Sequence, residues 1–163
     1  QDYAANFSRD SQSLLFWGKA GTGKTHLSLS IVTEVLKKGN DIIYDSIGNL
    51  LSKVESEHFQ NNNAPETDTL QLLLNTDLLV LDDLGTEFQS SFSLSTLYTI
   101  INTRINKHLP TIISTNLDAD EITAIYQTRI TSRLFTLYKT IQFVGVDVRK
   151  KKEEKNQSNM HFE

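Results

Sequence analysis

The segment from Phe16 to His26 places the strongest constraint on what this chain can fold into. It fits the pattern G-x-x-x-x-G-K-[ST], in which Lys24 and Thr25 occupy the last two fixed positions. An apolar run, LLFW, leads into the loop, and residues 24–38 follow with helical periodicity. Because the pattern binds phosphates between a strand and a helix, these flanks favour a nucleotide-binding loop over an accidental glycine-rich turn.

Each part of this loop has its own role in binding a polyphosphate. Glycine residues let the backbone turn so that successive N–H groups face the phosphates, and the helix adds the positive end of its dipole. Lys24 is expected to contact the β- and γ-phosphates, and the Thr25 hydroxyl to bind Mg²⁺. The sequence therefore predicts ATP or ADP and Mg²⁺ as cofactors. The predicted nucleotide-binding residues are Gly18, Lys19, Ala20, Gly21, Thr22, Gly23, Lys24, Thr25 and His26.

Length and composition narrow the class of protein further. A chain of 163 residues with 38% hydrophobic residues can bury one sizeable core. It contains no cysteine, which excludes disulfides and thiolate metal sites and favours a reducing, cytoplasmic location. The sequence has neither a signal-peptide pattern nor an apolar run that could span a membrane, so no membrane partner is expected. A net charge of −4 argues against a uniformly basic nucleic-acid binder, although it allows a local basic patch.

Strand and helix patterns alternate along the rest of the chain. Strands are predicted at residues 14–17, 41–45, 77–83, 111–116 and 140–144. Helices are predicted at residues 24–38, 47–59, 69–74, 92–108 and 118–126, and a further helical segment carries Arg129 and Arg133. Residues 61–65 are predicted to form a loop. This alternation predicts an α/β fold with a mostly parallel sheet between two layers of helices.

Two carboxylates end the strand at residues 77–83, at the edge where parallel sheets bind ligands. Asp82 is predicted to hold Mg²⁺ through water, and Asp83 to orient or deprotonate the water that attacks the γ-phosphate. Their alternative role is structural, as helix caps or turn formers. Asn116 ends the next strand, where its amide can hold the attacking water or a γ-phosphate oxygen.

Two further features leave alternatives open. Phe7 can lie against a nucleotide base or cover the edge of the core, and the sequence favours neither. Arg129 and Arg133 are four residues apart and so share one helix face. They can present positive charge to a neighbouring subunit's γ-phosphate, but their spacing alone favours a surface that forms salt bridges.

In their order along the chain, four motifs resemble those of AAA+ ATPases, specifically the DnaC/DnaI-like helicase loaders, a branch that also includes IstB-type transposition helpers. The motifs are LLFWGKAGTGKTHL at residues 14–27, LLVLDDLG at 78–85, TIISTN at 111–116 and RITSRL at 129–134. The resemblance extends from about Asn6 to Arg149. It implies an AAA+ P-loop NTPase fold of three layers, α/β/α, with a parallel five-stranded sheet in the order 5-1-4-3-2 and a reduced or absent helical lid.

The resemblance also implies roles for individual residues. Asn116 occupies the sensor-1 position. Arg133 occupies the position of the box VII arginine finger, which acts on a neighbouring subunit, and Arg129 lies beside it. Arg149 follows the last strand, where a sensor-2 arginine is found in the family. The predicted catalytic residues are therefore Asp83, Asn116, Arg133 and Arg129, and the predicted metal ligands are Thr25 and Asp82.

The family typically binds single-stranded DNA along helices after the second strand, here residues 46–59. That segment carries Lys53 as its only lysine or arginine, against Glu55 and Glu57, which is a weak electrostatic basis for binding DNA. Residues 1–149 are expected to form the ATPase domain and residues 150–163 a charged, disordered tail. The resemblance also implies an N-terminal helicase-binding domain. None precedes the P-loop here, in agreement with a first residue that is Gln1 rather than Met, so this domain, through which the helicase is bound, is expected to be missing.

The resemblance thus implies the ATPase domain of a helicase loader. It is expected to bind and hydrolyse ATP, to self-associate in an ATP-dependent oligomer, and to place a replicative helicase on single-stranded DNA. Hydrolysis is expected to be slow, because Asp83 stands where many AAA+ proteins have a longer glutamate. The alternatives are an IstB-like ATP-dependent helper that coats DNA, and a small P-loop kinase, which is disfavoured because the sequence shows no acceptor-binding set of arginine and aspartate.

Overall fold

A computed structural model describes residues 2–60 and 68–145 of the chain. The strands within these ranges are β1 (Leu14–Trp17), β2 (Ile42–Ser46), β3 (Leu78–Leu84), β4 (Thr111–Thr115) and β5 (Lys139–Gln142). The helices are α1 (Asp2–Ala5), α2 (Lys24–Leu36), α3 (Ile47–Gln60), α4 (Asp68–Asn75), α5 (Ser91–Asn106), α6 (Ala119–Ile125) and α7 (Thr128–Leu137). All the predicted strands and helices form, and α1 is added before β1. In this part of the chain, no helix combines the length and the apolar character needed to cross a bilayer.

The five strands form one sheet in the order β2-β3-β4-β1-β5. Every neighbouring pair is parallel, which confirms both the predicted parallel sheet and the predicted order 5-1-4-3-2. Because all strands point the same way, their carboxyl ends meet at one edge of the sheet. β4 lies between β3 and β1, so the three motifs that end these strands become neighbours at that edge.

Helices cover both faces of the sheet. Successive side chains of a strand point to opposite faces, and β3 shows this clearly. Leu79 and Leu81 pack into a core formed with α3, α4, α5, α6 and α7, whereas Leu78 and Val80 pack into a second core formed with α1 and α2. Burial on both sides is why β3 has an uninterrupted apolar sequence. The predicted three-layer α/β/α architecture is thereby confirmed.

The carboxyl end of β3 departs from regular strand pairing. The register between β3 and β4 shifts between Leu81 and Leu84, so Asp82 and Asp83 lie in an irregular segment. The Asp83 backbone has a φ of +58°, in the left-handed region that aspartate adopts more readily than most residues. This irregularity decides where the two consecutive carboxylates point.

Several predictions concern residues near the ends of the chain. Phe7 is buried in the core that contains Phe16 and Val35, so the structure shows the core role that the sequence left open. The predicted loop at residues 61–65, Arg149 and the predicted tail at residues 150–163 lie outside the described residues, and the expectation of a reduced or absent helical lid concerns undescribed residues as well.

A buried arginine joins three elements at the amino edge of the sheet. Arg104 of α5 is 0% exposed, and within the described residues it forms no ion pair. Its guanidinium donates to the Thr111 hydroxyl at 2.9 Å and to the carbonyl oxygens of Leu73 at 2.9 Å, Thr76 at 2.9 Å and Pro110 at 2.7 Å. Burial lowers the pKa of Arg104 to about 10, so the group remains charged at neutral pH. Arg104 therefore links the end of α4, helix α5 and the start of β4.

Replacing Arg104 by methionine is expected to lower the free energy of unfolding by about 3 kcal/mol, because buried acceptors lose their donors while the apolar stem is retained. Urea unfolding at pH 7 measures this difference. Arg9, an exposed residue whose guanidinium pairs with Asp77 at 2.8 Å, provides the matched control. Arg9→Met should change the free energy of unfolding by less than about 0.5 kcal/mol. An equally small loss in Arg104→Met would show that the buried network does not stabilise the fold.

Candidate nucleotide-binding site

The predicted phosphate-binding loop connects β1 to α2 and is shaped by glycines in left-handed conformations. Gly18, Gly21 and Gly23 have φ values of +136°, +73° and +99°. A β-carbon at Gly18 would lie 2.3 Å from the Phe143 carbonyl oxygen, so this position needs glycine because the chain after β5 passes close by. Gly23 is the N-cap of α2, whose first residue is Lys24. The loop thus ends at a helix N-terminus, where amide groups and the helix dipole favour an anion.

A cavity of about 250 Å³ lies between this loop and the carboxyl ends of β3 and β4. Lys24 and Thr25 line it from the loop side, and Asp83 and Asn116 line it from the strands. The lining therefore combines a cation, a hydroxyl, a carboxylate and an amide, which are the groups that a magnesium-bound polyphosphate needs. A second cavity, of about 510 Å³, opens at the ends of β1 and β5 and also reaches Asn116.

The Lys24 side chain crosses the loop and joins it to β4. It is 5% exposed, and its Nζ donates to the carbonyl oxygens of Gly18 at 2.6 Å and Lys19 at 2.9 Å. Nζ also donates to Oδ1 of Asn116 at 2.8 Å. The fold thereby connects the predicted phosphate-binding lysine directly to the residue at the predicted sensor-1 position. Phosphate oxygens can replace these neutral acceptors, because an ammonium group bonds more strongly to charged oxygens.

The carboxylate of Asp82 accepts hydroxyl groups from both neighbouring strands. Asp82 is 6% exposed. The Tyr44 hydroxyl on β2 donates to its Oδ2 at 2.6 Å, and the Ser114 hydroxyl on β4 donates to its Oδ1. Burial, reinforced by the hydrogen bond to Asp82 and by its charge, raises the pKa of Tyr44 well above its usual value, so this hydroxyl stays protonated as a donor. The Thr25 hydroxyl lies 3.5 Å from Oδ1 of Asp82, which brings the two predicted metal ligands together.

Asp83 is half-buried and reaches the cavity because β3 is irregular at its end. Its amide N–H donates to the Ser114 hydroxyl oxygen at 3.1 Å, and its carbonyl oxygen accepts from the Thr86 hydroxyl at 2.8 Å. These two bonds hold the left-handed backbone at this residue. Consequently Asp82 turns towards Tyr44 and Ser114, while Asp83 lines the cavity with Thr25 and Asn116.

The sequence motifs do not identify Tyr44 and Ser114 as site residues. Both lie within strands that are predicted to be buried, and Ser114 belongs to the motif TIISTN. The signal that identifies them is the hydroxyl group itself, since a polar group inside a buried strand needs a hydrogen-bond partner. Which partner it finds depends on the order of the strands, and β3 lies between the two strands that carry these residues.

Other predicted loop residues do not all reach the cavity. Lys19 and His26 are exposed, and the Thr22 hydroxyl donates to the Lys19 carbonyl oxygen at 2.7 Å. Ala20, Gly21 and Gly23 belong to the cavity lining. The contribution of this loop to the site is therefore mainly its backbone, together with the side chains of its last two motif residues.

Arg129 and Arg133 lie on α7, outside the lining of the 250 Å³ cavity. The guanidinium of Arg133 donates to Asn102 Oδ1 at 3.1 Å and to the Tyr98 hydroxyl oxygen at 3.2 Å, and it lies 4.9 Å from the centre of the Tyr98 ring. It also donates to the Arg129 carbonyl oxygen at 2.7 Å, so the two residues share one helix face as predicted. Arg129 is exposed. Across residues 2–60 and 68–145 neither arginine pairs with a carboxylate, so the salt-bridge alternative gains no support.

Comparison with known sequences identifies a family. The family model described as IstB-like ATP binding protein matches residues 3–156. The replicative helicase loader DnaC of Escherichia coli strain K12 is 30% identical over 134 residues, which are 82% of this chain and 54% of that protein. The uncharacterized protein YdaV of the same strain is 28% identical over 119 residues, or 73% of this chain and 47% of that protein. The chain thus spans about half the length of the curated relatives that it matches.

Solved structures agree with this assignment. A crystal structure of the DnaC helicase loader superposes with a TM-score of 0.75 at 25% identity, covering 88% of this chain and 85% of that chain. AMPPCP-bound DnaA from Aquifex aeolicus gives a TM-score of 0.74 at 22% identity over 87% of this chain and 43% of that chain, and shows a shared fold. The chain belongs to the family of IstB-like ATP-binding proteins, is related to the DnaC helicase loaders, and has the AAA+ P-loop fold.

Proposed function

We propose that this chain is the ATPase domain of a helicase loader, which acts in the cytoplasm, assembles with itself when ATP is bound, and places a replicative helicase on single-stranded DNA. The observation that carries the proposal is the single cavity lined by Lys24, Thr25, Asp83 and Asn116, in a chain that is 30% identical to a replicative helicase loader. Three motifs far apart in sequence supply these residues, so their convergence supports one nucleotide site.

The loop and the ends of β3 and β4 have separate roles in this proposal. The loop backbone and Lys24 bind the phosphates, and the Thr25 hydroxyl and the Asp82 carboxylate would hold Mg²⁺, which supplies charge neutralisation at the phosphates when bound. Asp83 orients the attacking water and accepts its proton as the bond from the γ-phosphorus to the leaving oxygen breaks. Asn116 holds the water or a γ-phosphate oxygen through its side-chain amide. An aspartate at position 83 suits slow hydrolysis in a switch.

The proposed self-association is supported by the residues that line the cavity. Of the described residues that line it, none is an arginine. Phosphoryl transfer is strongly accelerated by an arginine that stabilises the transition-state charge. Arg133, with Arg129 beside it, is proposed to supply that charge to a neighbouring subunit. ATP hydrolysis would then require an assembled protein.

Lys24→Ala is expected to weaken ATP binding by about 100-fold, because hydrogen bonds to charged phosphate oxygens are among the stronger ones in proteins. Equilibrium titration with a fluorescent ATP analogue measures this change. Lys37, an exposed residue paired with Glu34 at 2.6 Å just beyond α2, provides the matched control, and Lys37→Ala should bind ATP normally. Unaltered ATP affinity in Lys24→Ala would remove the loop from the nucleotide site.

Tyr44→Phe is expected to raise the Mg²⁺ concentration required for half-maximal nucleotide binding by about tenfold, because Asp82 loses a hydroxyl that orients it. The same titration, repeated over a range of Mg²⁺ concentrations, gives this midpoint. Tyr3→Phe serves as the control, since the Tyr3 hydroxyl donates to the Gln12 carbonyl oxygen at 2.9 Å, in the segment that precedes β1. If Tyr44→Phe and Tyr3→Phe require the same Mg²⁺ concentration as the wild type, Tyr44 does not support a metal site.

The surface of α3 allows the DNA part of the proposal to be tested. Lys53 and the large aromatic ring of Phe59 are exposed on this helix, and aromatic rings can stack on unpaired bases. The Glu57 carboxylate is engaged by Thr69, whose amide N–H donates to it at 3.0 Å. Both Thr69 donors are neutral, so they satisfy the Glu57 carboxylate but leave its negative charge near Lys53 in place.

Fluorescence anisotropy with single- and double-stranded oligonucleotides of one sequence distinguishes the loader from the transposition helper. The loader is expected to bind the single strand more tightly, and only with an ATP analogue present. Lys24→Ala should abolish this dependence on nucleotide. Tighter binding to the duplex would favour the IstB-like alternative, whose family description also fits this chain. Absence of binding to both oligonucleotides would contradict both functions.

A further inference from the structure

One buried pair of side chains, Glu87 and Tyr126, connects the loop after β3 to the start of α7. Glu87 is 8% exposed and Tyr126 is 2% exposed. The Tyr126 hydroxyl donates to Oε1 of Glu87. The Gly85 amide N–H donates to Oε2 at 2.8 Å, and the Gln89 side-chain amide donates to Oε1 at 3.0 Å. Neither of the ion pairs found in the described part of the chain includes Glu87.

The chemistry of this pair makes the contact directional. Burying a carboxylate without a cation costs free energy unless several donors satisfy it. Two apolar side chains could join these segments without that cost. Burial, reinforced by the hydrogen bond to Glu87, raises the pKa of Tyr126 far above its usual value, so its hydroxyl remains a donor. A hydrogen bond of this kind fixes the position of one segment relative to the other, whereas an apolar contact allows sliding.

Tyr126 lies at the junction between two helices. It is the C-cap of α6, with an extended backbone at φ −100° and ψ 144°, and the next residue, Gln127, is the N-cap of α7. The Gln127 carbonyl oxygen accepts the amide N–H of Ile130 at 2.8 Å, which starts the first turn of α7. Fixing Tyr126 therefore fixes where α7 begins, and the two arginines of this helix follow within its first six residues.

Glu87 follows Asp83 by four residues and does not itself line the cavity. Its partner Gly85 follows Asp83 by two residues and packs against Leu117, the residue after Asn116. A β-carbon at Gly85 would lie 2.4 Å from Cδ1 of Leu117, so the two loops fit together without spare room. The position of Glu87 is thereby tied to the ends of β3 and β4, where the catalytic residues are proposed to lie.

We infer that Glu87 and Tyr126 are positioning residues for the arginine that acts across subunits. They hold the start of α7 in a fixed position relative to the loop after Asp83. Arg133 is thereby placed where it can reach the γ-phosphate bound by a neighbouring subunit. The inference rests on the proposed assembly-dependent hydrolysis. It assigns the pair to the subunit that donates the arginine, not to the subunit whose ATP is hydrolysed.

Tyr126→Phe tests the pair while keeping the buried ring. The variant is expected to bind ATP with wild-type affinity and to lose activity on the order of 10- to 100-fold at concentrations where the wild type is assembled, because small misplacements of a catalytic group have effects of this size. Glu87→Gln, which removes the charge but keeps the size of the side chain, should show the same pattern. Tyr3→Phe, which removes a hydroxyl that donates to the Gln12 carbonyl oxygen, should retain the wild-type rate.

Mixing of variants decides which subunit the pair serves. Asp83→Asn subunits are expected to hydrolyse ATP very slowly but to carry an intact α7, so they should still donate the arginine to a neighbour. Mixed with Tyr126→Phe, they are expected to raise the activity well above the summed activities of the two variants measured alone. A mixture of Asp83→Asn with Arg133→Ala should show the same restoration and provides the positive control.

The outcomes separate the inference from the proposed function. A wild-type rate in both Tyr126→Phe and Glu87→Gln would overturn the positioning role. The role would also be overturned if mixing with Asp83→Asn restores the activity of Arg133→Ala but not that of Tyr126→Phe. If Asp83→Asn does not restore Arg133→Ala either, the arginine acting across subunits is itself wrong, and the inference falls with it. Cooperative thermal unfolding of each variant excludes misfolding as the cause of a low rate.

Discussion

Arg133→Ala is expected to lower the ATPase rate of the assembled protein by about 1,000-fold while ATP remains bound. The cavity lining contains no arginine from the described residues, so the charge that stabilises the transferring phosphoryl group is proposed to come from a second subunit. Steady-state hydrolysis at a concentration where the wild type is assembled gives the rate, and a separate titration gives the affinity for ATP.

Two control variants show whether the loss of activity is specific to the guanidinium group of Arg133. Arg133→Lys retains a charge but loses the planar fork that bonds Asn102 and Tyr98, and it should be nearly as inactive as the alanine variant. Arg9→Ala removes an exposed arginine that pairs with Asp77 and should be fully active. A wild-type rate in Arg133→Ala would refute the finger role of this residue, and Arg129→Ala would then be the next variant to measure.

Asp83→Asn is expected to bind ATP normally and to hydrolyse it at least about 100-fold more slowly, because the carboxylate that accepts the proton is lost. Asparagine suits this position, since it has the same shape as aspartate and also tolerates the left-handed backbone that Asp83 adopts at φ +58°. The variant therefore removes the proton acceptor while retaining the backbone conformation at this position. Single-turnover hydrolysis with excess protein measures the chemical step directly.

Asp120→Asn is the matched control for this change, because Asp120 is exposed in the first turn of α6. It should leave the rate unchanged. Normal turnover in Asp83→Asn would exclude Asp83 as the base and leave the pair of acids with a structural role. Loss of ATP binding in the same variant would point to a damaged cavity and would also contradict the proposed role.

The periodicity of the sequence was sufficient to predict the α/β architecture. Buried strands such as β3 have uninterrupted apolar runs because both faces of the sheet are covered, and α2 follows the glycine loop at the predicted position. The order of the strands cannot be derived from periodicity alone. It came from the resemblance of four motifs to a known family, and the structure confirms it.

The residues around the cavity were predictable to the extent that each lies in a motif. Lys24, Thr25, Asp82, Asp83 and Asn116 follow from the loop pattern and from polar residues at strand ends. Their mutual contacts were not predictable, because a bond such as Lys24 to Asn116 joins residues 92 positions apart. Such contacts depend on which strands are neighbours and on the local irregularity at Asp83.

Buried polar residues outside the motifs were missed for a related reason. Arg104 occupies the apolar stripe of α5 beside Ile101, where a charged residue contradicts the helical pattern. Glu87 and Tyr126 lie 39 residues apart, and only the tertiary fold brings their side chains into contact. Only Arg104 lies at a position that the helical pattern predicts to be buried, whereas nothing in the sequence predicts burial of Glu87. In both cases tertiary packing decides which partner the polar group finds.

The most direct test of the proposed switch is the ATPase rate measured against protein concentration, with and without single-stranded DNA. If hydrolysis requires an arginine from a neighbouring subunit, the rate should rise more steeply than in proportion to concentration, and DNA that promotes assembly should shift this rise to lower concentrations. A rate per molecule that stays constant over the whole range, in protein that binds ATP, would contradict assembly-dependent hydrolysis.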